Sequence, residues 1–130
     1  MQDNILLGNL PAPPALAYIG DAAHSLYVRK MLVKRGIRKS GELNELSLGY
    51  VTAEHQAEAY EKIAASLTEL ESDMFRAAFN SGHLNKPKHA SGKTYRTATG
   101  FEAVIGMLVW LGDEERFLQL MELAYSDSAD

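Results

Sequence analysis

The sequence predicts an all-α domain of about six helices, with short connections and one long loop. Three observations point there. Apolar residues recur at helical spacing in segment after segment, and helix-start and helix-stop residues bracket those segments. No stretch shows the apolar–polar alternation of a half-buried strand.

Pro11, Pro13 and Pro14 open the first helix, where proline is tolerated in the first turn. Leu16, Ile19, Ala23 and Leu26 follow at helical spacing, with Tyr18, Ala22 and Tyr27 widening the stripe. Gly36 is the stop signal, preceded by Lys34 and Arg35, whose charge suits a helix C-terminus. Ser40 is set to cap a short helix carrying Leu43 and Leu46, and Thr52 a helix running through Ala65. Thr68 and Glu71 have the spacing of a capping box for a helix reaching about Asn80. Residues 81–94 read as loop, because Gly82, Asn85, Pro87 and Gly92 break the periodicity. A long helix is expected from about Tyr95 to Leu111. Gly112 ends it, and Asp113 caps a last helix through Phe117, Leu120 and Leu123. Residues 126–130 are expected to fray.

The 130 residues read as a single domain, 1–130, large enough for a real core, with 46% hydrophobic residues. There is no cysteine, which excludes disulfides, thiolate metal sites and thiol nucleophiles and fits a cytoplasmic protein. The opening Met1-Gln2-Asp3-Asn4 has no basic n-region before an apolar stretch, so no signal peptide is expected. The apolar run over 103–111 is too short to span a bilayer, so no membrane partner is expected. His24, His55, His83 and His89 lack zinc-site spacing, and Ser25 and Ser47 show no triad arrangement.

Net charge is −4, which by itself argues against nucleic acid. Its distribution argues otherwise. Residues 74–100 contain Arg76, Lys86, Lys88, Lys93 and Arg96 and no acid, so the rest of the chain sets 8 cations against 17 acids. A second cationic group is Arg29, Lys30, Lys34, Arg35, Arg38 and Lys39. Basic segments of this kind can meet a polyanion on an acidic chain, or can be ordinary solvated surface.

Two acids stand in apolar runs. Asp21 interrupts Leu16-Ala17-Tyr18-Ile19-Gly20-Asp21-Ala22-Ala23, and Glu102 interrupts Phe101-Glu102-Ala103-Val104-Ile105-Gly106-Met107-Leu108. Both runs read as core helices, and an unpaired buried carboxylate costs several kcal/mol. Two readings stand. The acids converge on a divalent metal, which takes oxygen ligands. Alternatively each pairs with a base or neighbour, with Arg29, Arg96 or His24 available. Gly20 and Gly106 lie inside these helices, where each costs about 1 kcal/mol against alanine, so a close helix crossing or a close approach of metal and phosphate is expected. Trp110, Phe101 and Phe117 are expected in the core or in dimer packing.

The stretches Tyr18-Ile19-Gly20-Asp21-Ala22 and Phe101-Glu102-Ala103-Val104-Ile105-Gly106 resemble the two signature helices of the ribonuclease III catalytic domain. The resemblance is nearest to the minimal branch, the Mini-ribonuclease III proteins, and runs from about Leu10 to Tyr125. Tyr27-Val28-Arg29, Val51-Thr52-Ala53, Gln56-Ala57, Asn80, Pro87-Lys88, Thr94-Tyr95-Arg96 and Glu114-Glu115-Arg116 add to it. Two further acids of the larger relatives have Ala17 and Thr99 in their places here, and another falls near Ser40, with Glu42 close by.

The resemblance implies a helical homodimer that hydrolyses double-stranded RNA with Mg²⁺, for which Mn²⁺ can substitute. It leaves 5′-phosphate and 3′-hydroxyl ends, each subunit cutting one strand. Asp21 and Glu102 match the catalytic, metal-binding acids. The missing acids imply more water around the metal. By the same analogy the substrate is a ribosomal RNA precursor. The loop lysines Lys86, Lys88 and Lys93, with Tyr95 and Arg96 after them, are the expected RNA contacts, since there is no room for a separate double-stranded-RNA-binding domain. One departure weighs against a full footprint: relatives commonly carry bases where this chain has Asn44-Glu45-Leu46, with Glu54 and Glu58 beyond. Two rivals follow. One is a catalytically weak or inactive helical dimer that binds structured RNA. The other is an interaction protein with no RNA, which predicts no salt-dependent RNA binding.

Overall fold

Two helices, α1 (Pro13–Lys34) and α5 (Gly92–Leu111), cross at backbone contact, and the rest of the chain is arranged around that crossing. The computed structural model describes residues 2–81 and 92–126. A 3₁₀ turn (Leu7–Asn9) precedes α1. Then come α2 (Ser40–Val51), α3 (Ala53–Ile63), a second 3₁₀ turn (Ala64–Ser66), α4 (Glu69–Ser81), α5 and α6 (Glu114–Tyr125). No strand occurs among the described residues, as expected of an all-α chain. Most of the expected 81–94 loop, with Lys86 and Lys88, lies outside the described residues. Helix α5 starts at Gly92, earlier than the breaker residues suggested.

Helix α5 forms the centre of the core. Phe101, Val104, Ile105, Met107 and Leu108 are fully buried, enclosed by α1, α3 and α4, with α6 closing the C-terminal half. Between Thr97 and Leu108 nearly every residue of α5 is buried, and a stretch covered in this way needs no amphipathic stripe.

Helix α1 packs on a face rotated from the expected one: Leu16 is fully buried and Ile19, Ala23 and Tyr27 pack against the core as expected, but the centre of the buried face lies beside them. Leu16, Gly20, His24, Val28 and Leu32 point inward, whereas Tyr18 is 82% and Leu26 60% exposed. Gly20 and Gly106 explain the rotation. A Cβ at Gly20 would stand 1.8 Å from the Glu102 carbonyl oxygen, and one at Gly106 would stand 1.8 Å from that of Leu16. Only hydrogen fits at either position. The ridge at i, i+4 spacing that contains Gly20 therefore faces α5, with Ile19, Ala23 and Tyr27 at its flank and Tyr18 and Leu26 turned outward. Of the three aromatics expected in the core or in dimer packing, Phe101 is fully buried, Phe117 sits edge-on to Tyr27, and Trp110 is 57% exposed in the single chain, outside this core.

The helix ends follow local chemistry to different degrees. Gly36 and Gly112 both adopt positive φ, 93° and 73°. Each ends its helix with the same hydrogen-bond pair: Ile37 N to Leu32 O and Gly36 N to Val33 O, then Asp113 N to Leu108 O and Gly112 N to Val109 O. The Thr68–Glu71 capping box forms as expected, with Thr68 N donating to Glu71 Oε1 at 2.9 Å and Glu71 N to Thr68 Oγ1 at 3.2 Å. Asp113 caps α6 by accepting from Arg116 N. Ser40 is not a cap: it is the first residue of α2, and Lys39 holds the cap position. Thr52 does precede α3, but its hydroxyl pairs with His55 Nδ1 at 2.7 Å. Glu71 does a second job. Arg116 on α6 grips its carboxylate through Nε and Nη2 at 2.9 and 2.8 Å, and Gln2 adds a third donor. Burial alone would push this carboxyl up, but Arg116, Thr68 and Gln2 together hold it below its ordinary value.

Candidate active site

Asp21 and Glu102 meet because the α1–α5 crossing sits beside them. Gly20, whose missing side chain lets the helices touch, precedes Asp21. The atom it touches is the Glu102 carbonyl oxygen. The two carboxyls lie close enough that Asp21 raises the pKa of Glu102. The expectation that both are buried is half corrected. Asp21 is exposed, because the rotation of α1 carries it to the edge of the crossing, and Glu102 is partly buried.

The charge of the pair is unevenly held. Burial pushes the Glu102 carboxyl up to about 8, and neighbouring Asp21 pushes it the same way. Gln56 opposes the shift: its amide nitrogen donates to Glu102 Oε2 at 3.3 Å. Near neutral pH the Glu102 carboxyl therefore favours its protonated form. A divalent cation would replace that proton, and hard carboxylate oxygens suit Mg²⁺ or Mn²⁺. The donor set fits such an ion. Among the described residues no cluster of three or more His, Cys, Asp or Glu forms, so water and phosphate oxygens would complete the coordination. Ala17 is buried, and Thr99 spends its hydroxyl on the Tyr95 carbonyl at 3.0 Å; neither brings a carboxylate.

Behind Glu102 lies a polar chain that sequence reasoning did not assemble. Gln56, only 2% exposed, also brings its amide nitrogen within 3.5 Å of His24 Nδ1. His24 is fully buried, and its Nε2 lies 2.5 Å from the Tyr125 hydroxyl. His24 thus faces Gln56 and Tyr125, not the surface side of Asp21. Burial lowers its pKa to about 4 against the raising influence of Asp21, so the ring is neutral. The available signal was Gln56 at i, i+3, i+7 spacing with Ala59 and Ile63, a polar residue on an apolar stripe.

The other expected site residues lie in the first turns of α5. Lys93 is exposed, while Tyr95 and Arg96 are partly buried. Tyr95 shares the Glu102 face of the helix about 10 Å before it. Arg96 does not pair with an acid: its guanidinium lies 5.9 Å from the Phe79 ring centroid, and its buried Nε has no hydrogen-bond partner. Arg76 is engaged by Asp73 one turn earlier. Glu45, Glu54 and Glu58 all face solvent. A groove of about 910 Å³, lined by Leu26, Tyr27, Met31, Val109, Phe117 and Leu118 among others, lies between α1, α5 and α6 and includes neither carboxylate.

Comparison with known proteins covers the same span. The family model of the ribonuclease III domain matches residues 14–113. A Mini-ribonuclease 3 of Symbiobacterium thermophilum is 37% identical over 120 residues, 92% of each chain. One of Brevibacillus brevis is 35% identical, covering 91% of this chain and 88% of its own. A solved structure of a Fusobacterium nucleatum protein superposes with a TM-score of 0.81 at 27% identity, covering 90% of this chain and 93% of that one.

Proposed function

The chain belongs to the ribonuclease III domain family, in its Mini-ribonuclease III branch, and is an endoribonuclease of that type; from this premise we propose that it cleaves double-stranded RNA with Mg²⁺ at Asp21 and Glu102. The observation that carries the assignment is the meeting of these two carboxyls, one exposed and one partly buried, at the glycine crossing. When bound, the divalent ion supplies positive charge to the phosphate and lowers the pKa of its water. The protein's own groups do the rest. Gln56 fixes one oxygen of Glu102. Exposed Asp21 gives the pair an open side from which a phosphodiester can approach. Neutral His24 adds no competing positive charge behind the site. Lys93, Tyr95 and Arg96 at the start of α5, with Lys86 and Lys88 before them, contact the RNA backbone. The substrate is a ribosomal RNA precursor, by analogy with the family.

A homodimer completes the reading. Tyr18, Leu26 and Val33 form an exposed apolar row on the outer side of α1, and Leu26 and Val109 border the apolar groove. A helix apolar on both faces calls for cover on both. Two copies related by a two-fold axis suit the two strands of a duplex.

The test is cleavage of a long, perfect RNA duplex with Mg²⁺, beside EDTA, Asp21→Asn and Glu102→Gln. Glutamine has the shape of the protonated acid that the structure already accommodates, so Glu102→Gln keeps the fold and RNA binding and loses cleavage. Near-normal turnover in either variant removes that residue from catalysis. An intact duplex that still binds the parent protein indicates the non-catalytic RNA-binding dimer, and neither cutting nor binding indicates an interaction protein.

A further inference from the structure

We propose that Gln56 is the positioning residue of the acid pair, holding Glu102 in the orientation that a divalent cation requires, and that His24 and Tyr125 hold Gln56 in turn. The inference rests on the reading of Asp21 and Glu102 as metal ligands.

Packing alone does not call for an amide at this position. Gln56 shares its helical face with Ala59 and Ile63, both buried, and an apolar side chain there would simply extend the stripe. A buried carboxamide is tolerated only when its polar atoms are matched. Here one nitrogen serves two elements. Gln56 Nε2 carries two hydrogens: one faces Glu102 Oε2 at 3.3 Å, the other His24 Nδ1 at 3.5 Å. That geometry decides the imidazole's tautomer. Nδ1 must present its lone pair to the amide, so the ring proton sits on Nε2 and is donated to the Tyr125 oxygen at 2.5 Å. The opposite tautomer would set N–H against N–H. The hydrogen bonds therefore run outward from Gln56, to Glu102 on one side and through His24 to Tyr125 on the other.

Four helices take part: Tyr125 from α6, His24 from α1, Gln56 from α3 and Glu102 from α5. The far end is fixed as well, since the Tyr125 ring packs against those of Tyr27 and Tyr50. Hydrogen bonds behind a ligand of this kind set its direction and basicity. With no third carboxylate grouped with them among the described residues, the placement of each counts for more.

The experiment is Mn²⁺ binding to the full metal-free chain without RNA, followed by calorimetry, in the parent, Asp21→Asn and Gln56→Met. Methionine keeps the length of the side chain and removes both donors. If Gln56 positions the ligand, Gln56→Met weakens Mn²⁺ binding roughly tenfold to a hundredfold while the helical signal stays unchanged. An affinity equal to the parent's, with any loss confined to thermal stability, overturns the proposal and leaves the metal reading intact. Absence of Mn²⁺ binding in the parent overturns both. Should Gln56→Met fail to fold, the parent itself decides: the Gln56 side-chain NH₂ resonances shift on saturation with Mg²⁺, and resonances that stay in place overturn the proposal.

Discussion

Glu102 bears the electrostatic strain of the site, and that strain sets a pH dependence. Its carboxyl has an ordinary value of 4.5 and is raised to about 8 in the folded chain. The folded state therefore binds this proton more tightly than the unfolded state does. The stabilisation from the bound proton is complete below about 4.5 and is lost as pH rises through about 8. Thermal unfolding of the metal-free protein should thus fall to lower temperature between pH 5 and pH 9, in the part of the profile due to Glu102. Asp21→Asn should flatten that slope by removing the neighbouring negative charge. Mg²⁺ should restore stability most at the alkaline end, and its affinity should rise with pH up to about 8 and then level, because binding displaces the proton. Scanning calorimetry across this range with and without Mg²⁺ checks the claim. A metal-free profile unchanged by Asp21→Asn would mean that the two carboxyls do not interact.

Among the helices, the decisive contact is the one between Gly20 and Gly106. Gly106 lies one helical turn beyond Glu102 and touches no carboxyl, yet its contact with Leu16 sets the distance between α1 and α5. Gly106→Ala must push the helices apart, because the obstacle is backbone and not a flexible side chain. Overpacking costs about 1–3 kcal/mol and occasionally more, and this case belongs at or above the upper end. Urea unfolding should show that loss, and Mg²⁺ affinity should fall with it even in the folded fraction. A variant of parental stability and affinity would show that the crossing does not set the spacing of the two helices. Local signals were legible at the helix ends where one side chain had one available partner, as at Thr68, Asp113 and the two stop glycines. They misled at Ser40 and Thr52, where the hydroxyl was free to settle elsewhere.

For the whole molecule, charge and apolar surface make two separate predictions. The chain is acidic, with its acid-free segment running into the start of α5. Replacing Lys86, Lys88 and Lys93 with alanine should weaken duplex RNA binding and make the slope of log affinity against log salt shallower by about one for each lysine on a phosphate. An unchanged slope would return these lysines to ordinary solvated surface. The exposed row on α1 makes the second prediction. Leu26→Glu changes a residue 60% exposed in the single chain, so monomer stability should move by no more than about 0.5 kcal/mol. If a second copy covers that row, the charge is buried and the assembly falls to monomers in sedimentation, with duplex cleavage lost. A variant that remains dimeric would place the dimer contact elsewhere.

The sequence by itself determined that the chain is all-helical, where most helices stop, and that two acids, Asp21 and Glu102, stand within apolar helical runs. These depend on neighbours within a few residues, where spacing, caps and breakers act directly. Only the tertiary structure decided which face of α1 turns inward, that Asp21 is open to solvent while Glu102 is partly buried, and that Trp110 lies outside the core. It alone joined Gln56, His24 and Tyr125, which lie 32 and 101 residues apart along the chain, into one hydrogen-bonded support. The reason is steric. Periodicity ranks the faces of a helix by hydrophobicity, but the face that packs here is the one with no side chain in the way, and a missing side chain adds almost nothing to a hydrophobic pattern.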